Sequence, residues 1–258
     1  MSGLNFSVCI EMIFSDLPLL ERISAVAEAG YPAVEFWGWR SKDMQAIAEK
    51  IGQEGVKLAG FCVESESDLC DPEATDSWVQ QAAASIDQAA NFGVPALIVT
   101  TGNELADIPR SQQHQAIVDG LAALAPYAEE KGITLCLEPL NVLVDHAGYY
   151  LVTSAEGFEI VGEVGSPNVK LLYDIYHQQV TEGNLIATIT ANVGKIGHFH
   201  VADVPGRCEP GTGEINYANV FACIAESDYN GYVGLEFRPS SSDEAALARV
   251  LEIANGGR

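Results

Sequence analysis

Apolar positions along this chain of 258 residues fall into two kinds of segment. Short, nearly continuous apolar runs read as β-strands over 6–14, 33–38, 56–63, 96–101, 133–141, 169–176, 196–203 and 232–239. Stretches with helical spacing of apolar and polar residues predict helices near 17–29, 43–54, 75–92, 111–131, 154–164, 184–193, 217–227 and 243–254. Several helices end at or just before a glycine that leads straight into a strand, as in AEAGYPAVEF, NFGVPALIV and EEKGITLCLE. The strands are continuous rather than alternating, as expected where both faces are covered.

Eight strand-helix alternations without a Pro- or Ser-rich linker predict an α/β protein, a (β/α)8 TIM barrel forming a single domain over 1–258. A doubly wound open sheet is the rival. It is weakened because FSDLPLLERI, not a Gly-rich phosphate fingerprint, follows the first strand.

Composition narrows the function. Thirty-six acidic against thirteen basic residues give a formal charge of −23, a field that repels phosphate backbones, so no nucleic-acid partner is expected. The start lacks a basic leader, and no apolar stretch approaches the ~20 residues that span a bilayer, so a cytoplasmic protein with no membrane partner is expected. Cys9, Cys62, Cys70, Cys136, Cys208 and Cys223 show no paired spacing and read as reduced thiols. Cys9, Cys62 and Cys136 lie in strand segments as small hydrophobes, while Cys208 occupies a site loop. The subunit count is left open, a homo-oligomer included.

The chemistry lies at strand ends. Glu138, Asp174, His200 and Glu236 each end an apolar run, in ITLCLE, VKLLYD, IGHFH and GYVGLE, so four consecutive strands deliver one ligand-type residue apiece. Three carboxylates and one imidazole gathered there would hold a divalent metal, and the hard oxygen donors suit Mg²⁺, Mn²⁺ or Co²⁺. Taken singly, Glu138 in LEPLN reads equally well as a loop cap, and Asp174 in LLYDIYHQQ as a turn cap. Alternation in GHFHVAD puts His198 and His200 on one face. His200, nearer the mouth, is the ligand candidate, and His198 the core or supporting one. Glu236 in GLEFRP is an inward acid that needs a metal, a base or a proton. His114 and His146 read as surface or loop residues. VPGRCEPGTGEINY is a loop shaped by three glycines and two prolines, and it carries Arg207 and Glu209.

LEPLN, YDIYH, GHFHVAD, RCEPGTGEINY and SDYNGYVGLEFRP together resemble the hydroxypyruvate isomerase family of xylose isomerase-like TIM barrels. D-tagatose 3-epimerase, inosose dehydratase and endonuclease IV are cousins of that family. The match is dense over 133–239 and looser over the first 54 residues, where VEFWGW is similar to the family's second strand. The resemblance implies a metal held by Glu138, Asp174, His200 and Glu236, with Glu138 and Glu236 doubling as the catalytic acid/base pair. It also implies that His177 and Arg207 contact substrate oxygens; the neighbouring Arg238 in GLEFRP is the alternative grip. This chain departs from the family at His200, where hydroxypyruvate isomerases have glutamine and the epimerases histidine. It departs again in the acidic ESESDLCDPEATD, which replaces a Gly-rich substrate loop, and in VPG, which replaces Asn-Pro-His.

The expected function is a metal-dependent isomerase of a small hydroxy-carbonyl compound, hydroxypyruvate to tartronate semialdehyde first. A keto-sugar epimerase, or a dehydratase or lyase on a keto-sugar, is the alternative. A sugar-binding barrel without turnover is the non-enzyme reading, and finding no bound metal in purified protein would favour it.

Overall fold

The computed structural model describes residues 3–256. Its strands are β1 (Asn5–Cys9), β2 (Ala33–Glu35), β3 (Lys57–Cys62), β4 (Ala96–Val99), β5 (Thr134–Leu137), β6 (Val169–Asp174), β7 (Ile196–Val201) and β8 (Tyr232–Leu235). All pair in parallel with their chain neighbours, and β8 closes on β1 with Val8 opposite Leu235, so the barrel has no open edge. This is the (β/α)8 architecture expected from the alternation.

The helices are α1 (Leu19–Glu28), α2 (Met44–Glu54), α3 (Thr75–Asn91), α4 (Arg110–Lys131), α5 (Ser154–Val164), α6 (Ile175–Thr181), α7 (Leu185–Asn192), α8 (Tyr217–Ala225) and α9 (Asp243–Ala254). The side chains of Asp43, Thr153, Asn216 and Ser242 each accept the N–H three residues on, occupying a donor the helix start leaves free. Gly132 ends α4 at φ 70°, a left-handed turn open to a residue without Cβ, and β5 begins two residues later.

Strand alternation divides the core. Ala96, Ile98, Cys136 and Leu172 form a small cluster, with Cys62 packed against it. Leu97, Val99, Leu135, Leu137, Leu171 and Tyr173 belong to the large cluster that the helices share. Apolar demand on both faces explains the unbroken runs. Cys136 packs as a small hydrophobe, and burial pushes its thiol up to about 12. All six cysteines are free. No helix among the described residues is long and apolar enough to cross a membrane.

Strand boundaries read from the sequence run too long at the carboxyl ends. Ile10, Ile13 and Phe14 stay buried after β1 has turned away at Cys9, so burial continues where ladder pairing has stopped. The largest difference is at 175–181, expected as strand end and loop but folded as α6. The Asp174 carboxylate accepts the His177 N–H and caps a helix that starts directly on the strand. His177 is therefore a helical residue, not a loop residue.

Candidate active site

Glu138 and Glu236 are the first residues beyond β5 and β8, Asp174 is the last of β6, and His200 is the penultimate residue of β7. Asp174 and His200 are register partners on adjacent strands. All four side chains are buried. They meet around one atom: His200 Nδ1 lies 3.4 Å from Glu138 Oε1, 3.9 Å from Asp174 Oδ2 and 3.6 Å from Glu236 Oε2. That nitrogen is buried and has no hydrogen-bond partner.

A buried, unpaired imidazole nitrogen ringed by three carboxylate oxygens becomes a mixed oxygen and nitrogen donor set once its proton leaves, so these residues could hold a hard or borderline divalent ion. Without a cation, burial favours the neutral imidazole of His200, but the charges of Glu236 and Glu35 and contacts to Glu138 outweigh it and hold the ring well above its ordinary range. Burial raises the Asp174 carboxyl, against the pull of His200 and Arg207.

Glu236 is gripped on both oxygens. The Trp37 indole N–H donates to Oε1 at 2.7 Å, and the Arg207 guanidinium donates to Oε2 at 2.6 Å. Burial alone would raise this carboxyl, yet His200, Arg207 and the indole together hold it below the usual carboxylate range. Arg207 also lies over the Tyr176 ring at 5.3 Å and 3.9 Å from Asp145. It is therefore paired to one of the expected catalytic carboxylates as well as placed at the mouth. Arg238 is exposed, and its backbone N–H is bonded to the Arg207 carbonyl.

The loop that carries Arg207 is organised by Asp203. Its carboxylate accepts the N–H groups of Val204, Gly211, Gly213 and Ile215. Gly213 lies so close to the Val204 carbonyl that a Cβ there would collide with it. Glu209 accepts the N–H and hydroxyl of Ser240, which ties the loop to the segment after β8.

His177 is fully buried beside the cluster, with Nε2 3.7 Å from Asp174 Oδ2. Its Nδ1 faces two donors, the Asn141 backbone N–H at 3.2 Å and side-chain Nδ2 at 2.7 Å. The orientation of the Asn141 amide follows from its other contacts: Oδ1 accepts the Val144 N–H, and Nδ2 donates to the Asp145 carboxylate. His177 Nδ1 is thus an acceptor, and the neutral ring carries its proton on Nε2. Burial, then repulsion from Arg207, lower this imidazole to about 4. Asp145 completes the group through the Tyr176 hydroxyl at 2.7 Å.

His146 reads from the sequence as a surface or loop residue, but its ring centroid lies 5.2 Å from that of His177. The β5–α5 loop folds back over α6, a contact made by tertiary structure alone. His114 sits on α4, 3.2 Å from Glu163 of α5, away from the strand-end cluster. His198 is buried in the supporting position expected of it, with Nε2 3.0 Å from Glu35.

Glu35 and Trp37 of the second strand segment are not among the residues expected at the site, although Glu35 in AVEFW carries the same signal as Glu236 in GLEFR. Both are acids inside an apolar run. Asp145 sends no such signal, because it lies in an ordinary polar loop.

Residues 23–254 match the family described as xylose isomerase-like TIM barrel. The hydroxypyruvate isomerase of Escherichia coli K12 is 34% identical over 95% of this chain and 97% of its own length. The 2-oxo-tetronate isomerase of Pectobacterium atrosepticum is 29% identical over 94% of this chain and 95% of its own. Among solved structures, an AP endonuclease of family 2 from Brucella melitensis superposes with a TM-score of 0.90 at 27% identity, covering 96% of this chain and 98% of that one.

Proposed function

The chain belongs to the hydroxypyruvate isomerase family of xylose isomerase-like TIM barrels and is an isomerase, and from that premise we propose a metal-dependent reaction on a small 2-oxo acid. The first candidate is hydroxypyruvate to tartronate semialdehyde. The observation that carries this reading is the convergence of Glu138, Asp174 and Glu236 on the unpaired Nδ1 of His200. Those four residues would hold Mg²⁺, Mn²⁺ or Co²⁺. A cation there supplies positive charge beside the carbonyl and hydroxyl oxygens, where an enediolate gathers negative charge.

The other steps fall to side chains. Glu236, held as an anion, can accept a proton from the carbon beside the carbonyl. In hydroxypyruvate that proton leaves C3 and one is delivered to C2, which converts the terminal alcohol to an aldehyde and the ketone to an alcohol. Glu138 reaches the same centre from β5, three strands from β8. The Nε2–H of His177 is a neutral donor for a substrate oxygen. Arg207 offers a planar set of donors to a carboxylate, at the cost of loosening its hold on Glu236. The E. coli relative is named for hydroxypyruvate and the Pectobacterium one for 2-oxo-tetronate, which supports an acid substrate.

Placement of two glutamates on well-separated strands favours a second reading, epimerisation of a keto-sugar, in which one glutamate takes the proton and the other returns it to the opposite face. A nucleic-acid substrate is disfavoured by the formal charge of −23. The test is a screen of hydroxypyruvate, 2-oxo-tetronate, tetruloses, ketopentoses and ketohexoses in D₂O, with product and deuterium followed by NMR. Turnover of the 2-oxo acids in preference to the ketohexoses is expected. Epimers of ketohexoses, with the 2-oxo acids unchanged, would overturn the first reading in favour of the second.

A further inference from the structure

We propose that Glu35 is a positioning residue for the metal ligand His200: its carboxylate accepts from the ring's Nε2–H, keeps the proton on that nitrogen and thereby leaves the Nδ1 lone pair free for the cation. The inference rests on the reading of Glu138, Asp174, His200 and Glu236 as the metal site.

Glu35 stands in β2 with 2% of its surface exposed. A carboxylate so buried has to be satisfied by donors, since its charge is costly away from water. The Ser7 hydroxyl donates to Oε2 at 2.7 Å, and His198 Nε2 lies 3.0 Å from the same oxygen. The other oxygen, Oε1, lies 3.0 Å from His200 Nε2, and each of these two buried atoms is without any other hydrogen-bond partner. The two oxygens thus have separate partners. Ser7 and His198 occupy Oε2, and Oε1 is left to His200.

The backbone keeps room for this arrangement. Gly234 of β8 is the register partner of Ser7 on one side and of His200 on the other. A Cβ at Gly234 would run into Glu35 Oε1, would come within 2.6 Å of His200 Cδ2 and would lie 2.8 Å from Glu35 Oε2. The glycine vacates the space in which the carboxylate meets the imidazole.

A neutral imidazole has one N–H and one lone pair, so whichever nitrogen holds the proton fixes the role of the other. Glu35 accepts and cannot donate when ionised, which assigns the proton to Nε2. The lone pair then belongs to Nδ1, the nitrogen that faces Glu138, Asp174 and Glu236. Partners of this kind on the far nitrogen set the tautomer and basicity of ligating histidines generally. An amide in the same place has only one accepting oxygen. If that oxygen stays with Ser7 and His198, the NH₂ group faces His200 Nε2 and favours the tautomer with its proton on Nδ1.

The experiment is a titration of metal-stripped protein with Mn²⁺, followed by EPR, for the wild type, Glu35→Gln and Ser7→Ala. Wild type should bind one Mn²⁺. Glu35→Gln should bind it about 10- to 100-fold more weakly with unchanged circular dichroism. Ser7→Ala, which touches only Oε2, should keep near wild-type affinity. Equal Mn²⁺ affinity in wild type and Glu35→Gln would overturn the role of Glu35 and leave the metal reading standing. A wild type that binds no Mn²⁺ would overturn both. Should Glu35→Gln fail to fold, ¹⁵N NMR of Mg²⁺-loaded wild type decides the matter. A His200 proton on Nε2 supports the proposal, and one on Nδ1 contradicts it.

Discussion

The guanidinium of Arg207 donates to the carboxylate of Glu236 across 2.6 Å, so the loop after β7 and the end of β8 share one charge pair at the mouth of the barrel. Arg207 stands in the left-handed region at φ 55°, held there by the loop that Asp203 gathers. The pair does two things. Together with His200, it holds the Glu236 carboxyl below its ordinary range, and it keeps a cation at the barrel mouth of a strongly acidic protein.

Arg207→Ala should therefore raise KM for an acidic substrate and also change the pH dependence of the reaction. Glu236 is held below its ordinary range and must be ionised to accept a proton. Loss of Arg207 should move the acidic limb of the kcat/KM profile upward. Arg207→Lys should restore the limb better than it restores KM, because an ammonium supplies charge without the planar fork. A higher KM with an unmoved acidic limb would show that Arg207 binds substrate without tuning Glu236.

Glu138→Gln and Glu236→Gln preserve size and remove basicity. Each should lower turnover by at least ~10²-fold if proton transfer is lost. Metal content must be measured beside the rates, since both carboxylates face His200 Nδ1. Near-normal turnover with metal retained would remove that glutamate from the acid/base pair.

His177 should remain neutral through mildly acidic pH, with its ring titrating near 4 by NMR. The unfolded chain takes up that proton near 6.5, so between about 6.5 and 4 the unfolded state binds more protons than the folded one. Stability then falls as pH drops through this window and levels below it, with a loss on the order of 3 kcal/mol from this group. Denaturant titrations of wild type and His177→Asn across the window should show a shallower pH dependence in the variant. Identical slopes would remove His177 as the source.

Chelation should abolish turnover, and Mn²⁺ or Mg²⁺ should restore it. Full activity in protein shown to be metal-free would defeat the metal reading. It would leave Glu138, Asp174, His200 and Glu236 as a hydrogen-bonded cluster with a charged imidazole at its centre.

The barrel and its four strand-end residues were legible because period and placement act together. An acid or histidine that ends an apolar run has to point somewhere, and eight closed strands point their ends at one place. Glu35 carried the same signature and was within reach of that logic. The α6 helix was not, since one side chain, Asp174, both ends a strand and caps a helix. Contacts of His146 with His177, and of Asp145 with Arg207, join the β5–α5 loop to α6 and to the loop after β7, far apart in sequence. No local pattern encodes them. The Arg207–Glu236 pair was invisible for the same reason.

The most direct measurement is deuterium entry from D₂O into hydroxypyruvate and tartronate semialdehyde, followed by NMR with Mn²⁺-loaded wild type, Glu138→Gln and Glu236→Gln. A proton shuttled by carboxylates through an enediolate requires solvent deuterium at the carbon beside the carbonyl. It also requires tartronate semialdehyde as a product, and slower entry in both variants. Formation of tartronate semialdehyde without deuterium, or deuterium entry at the wild-type rate in both variants, would contradict it.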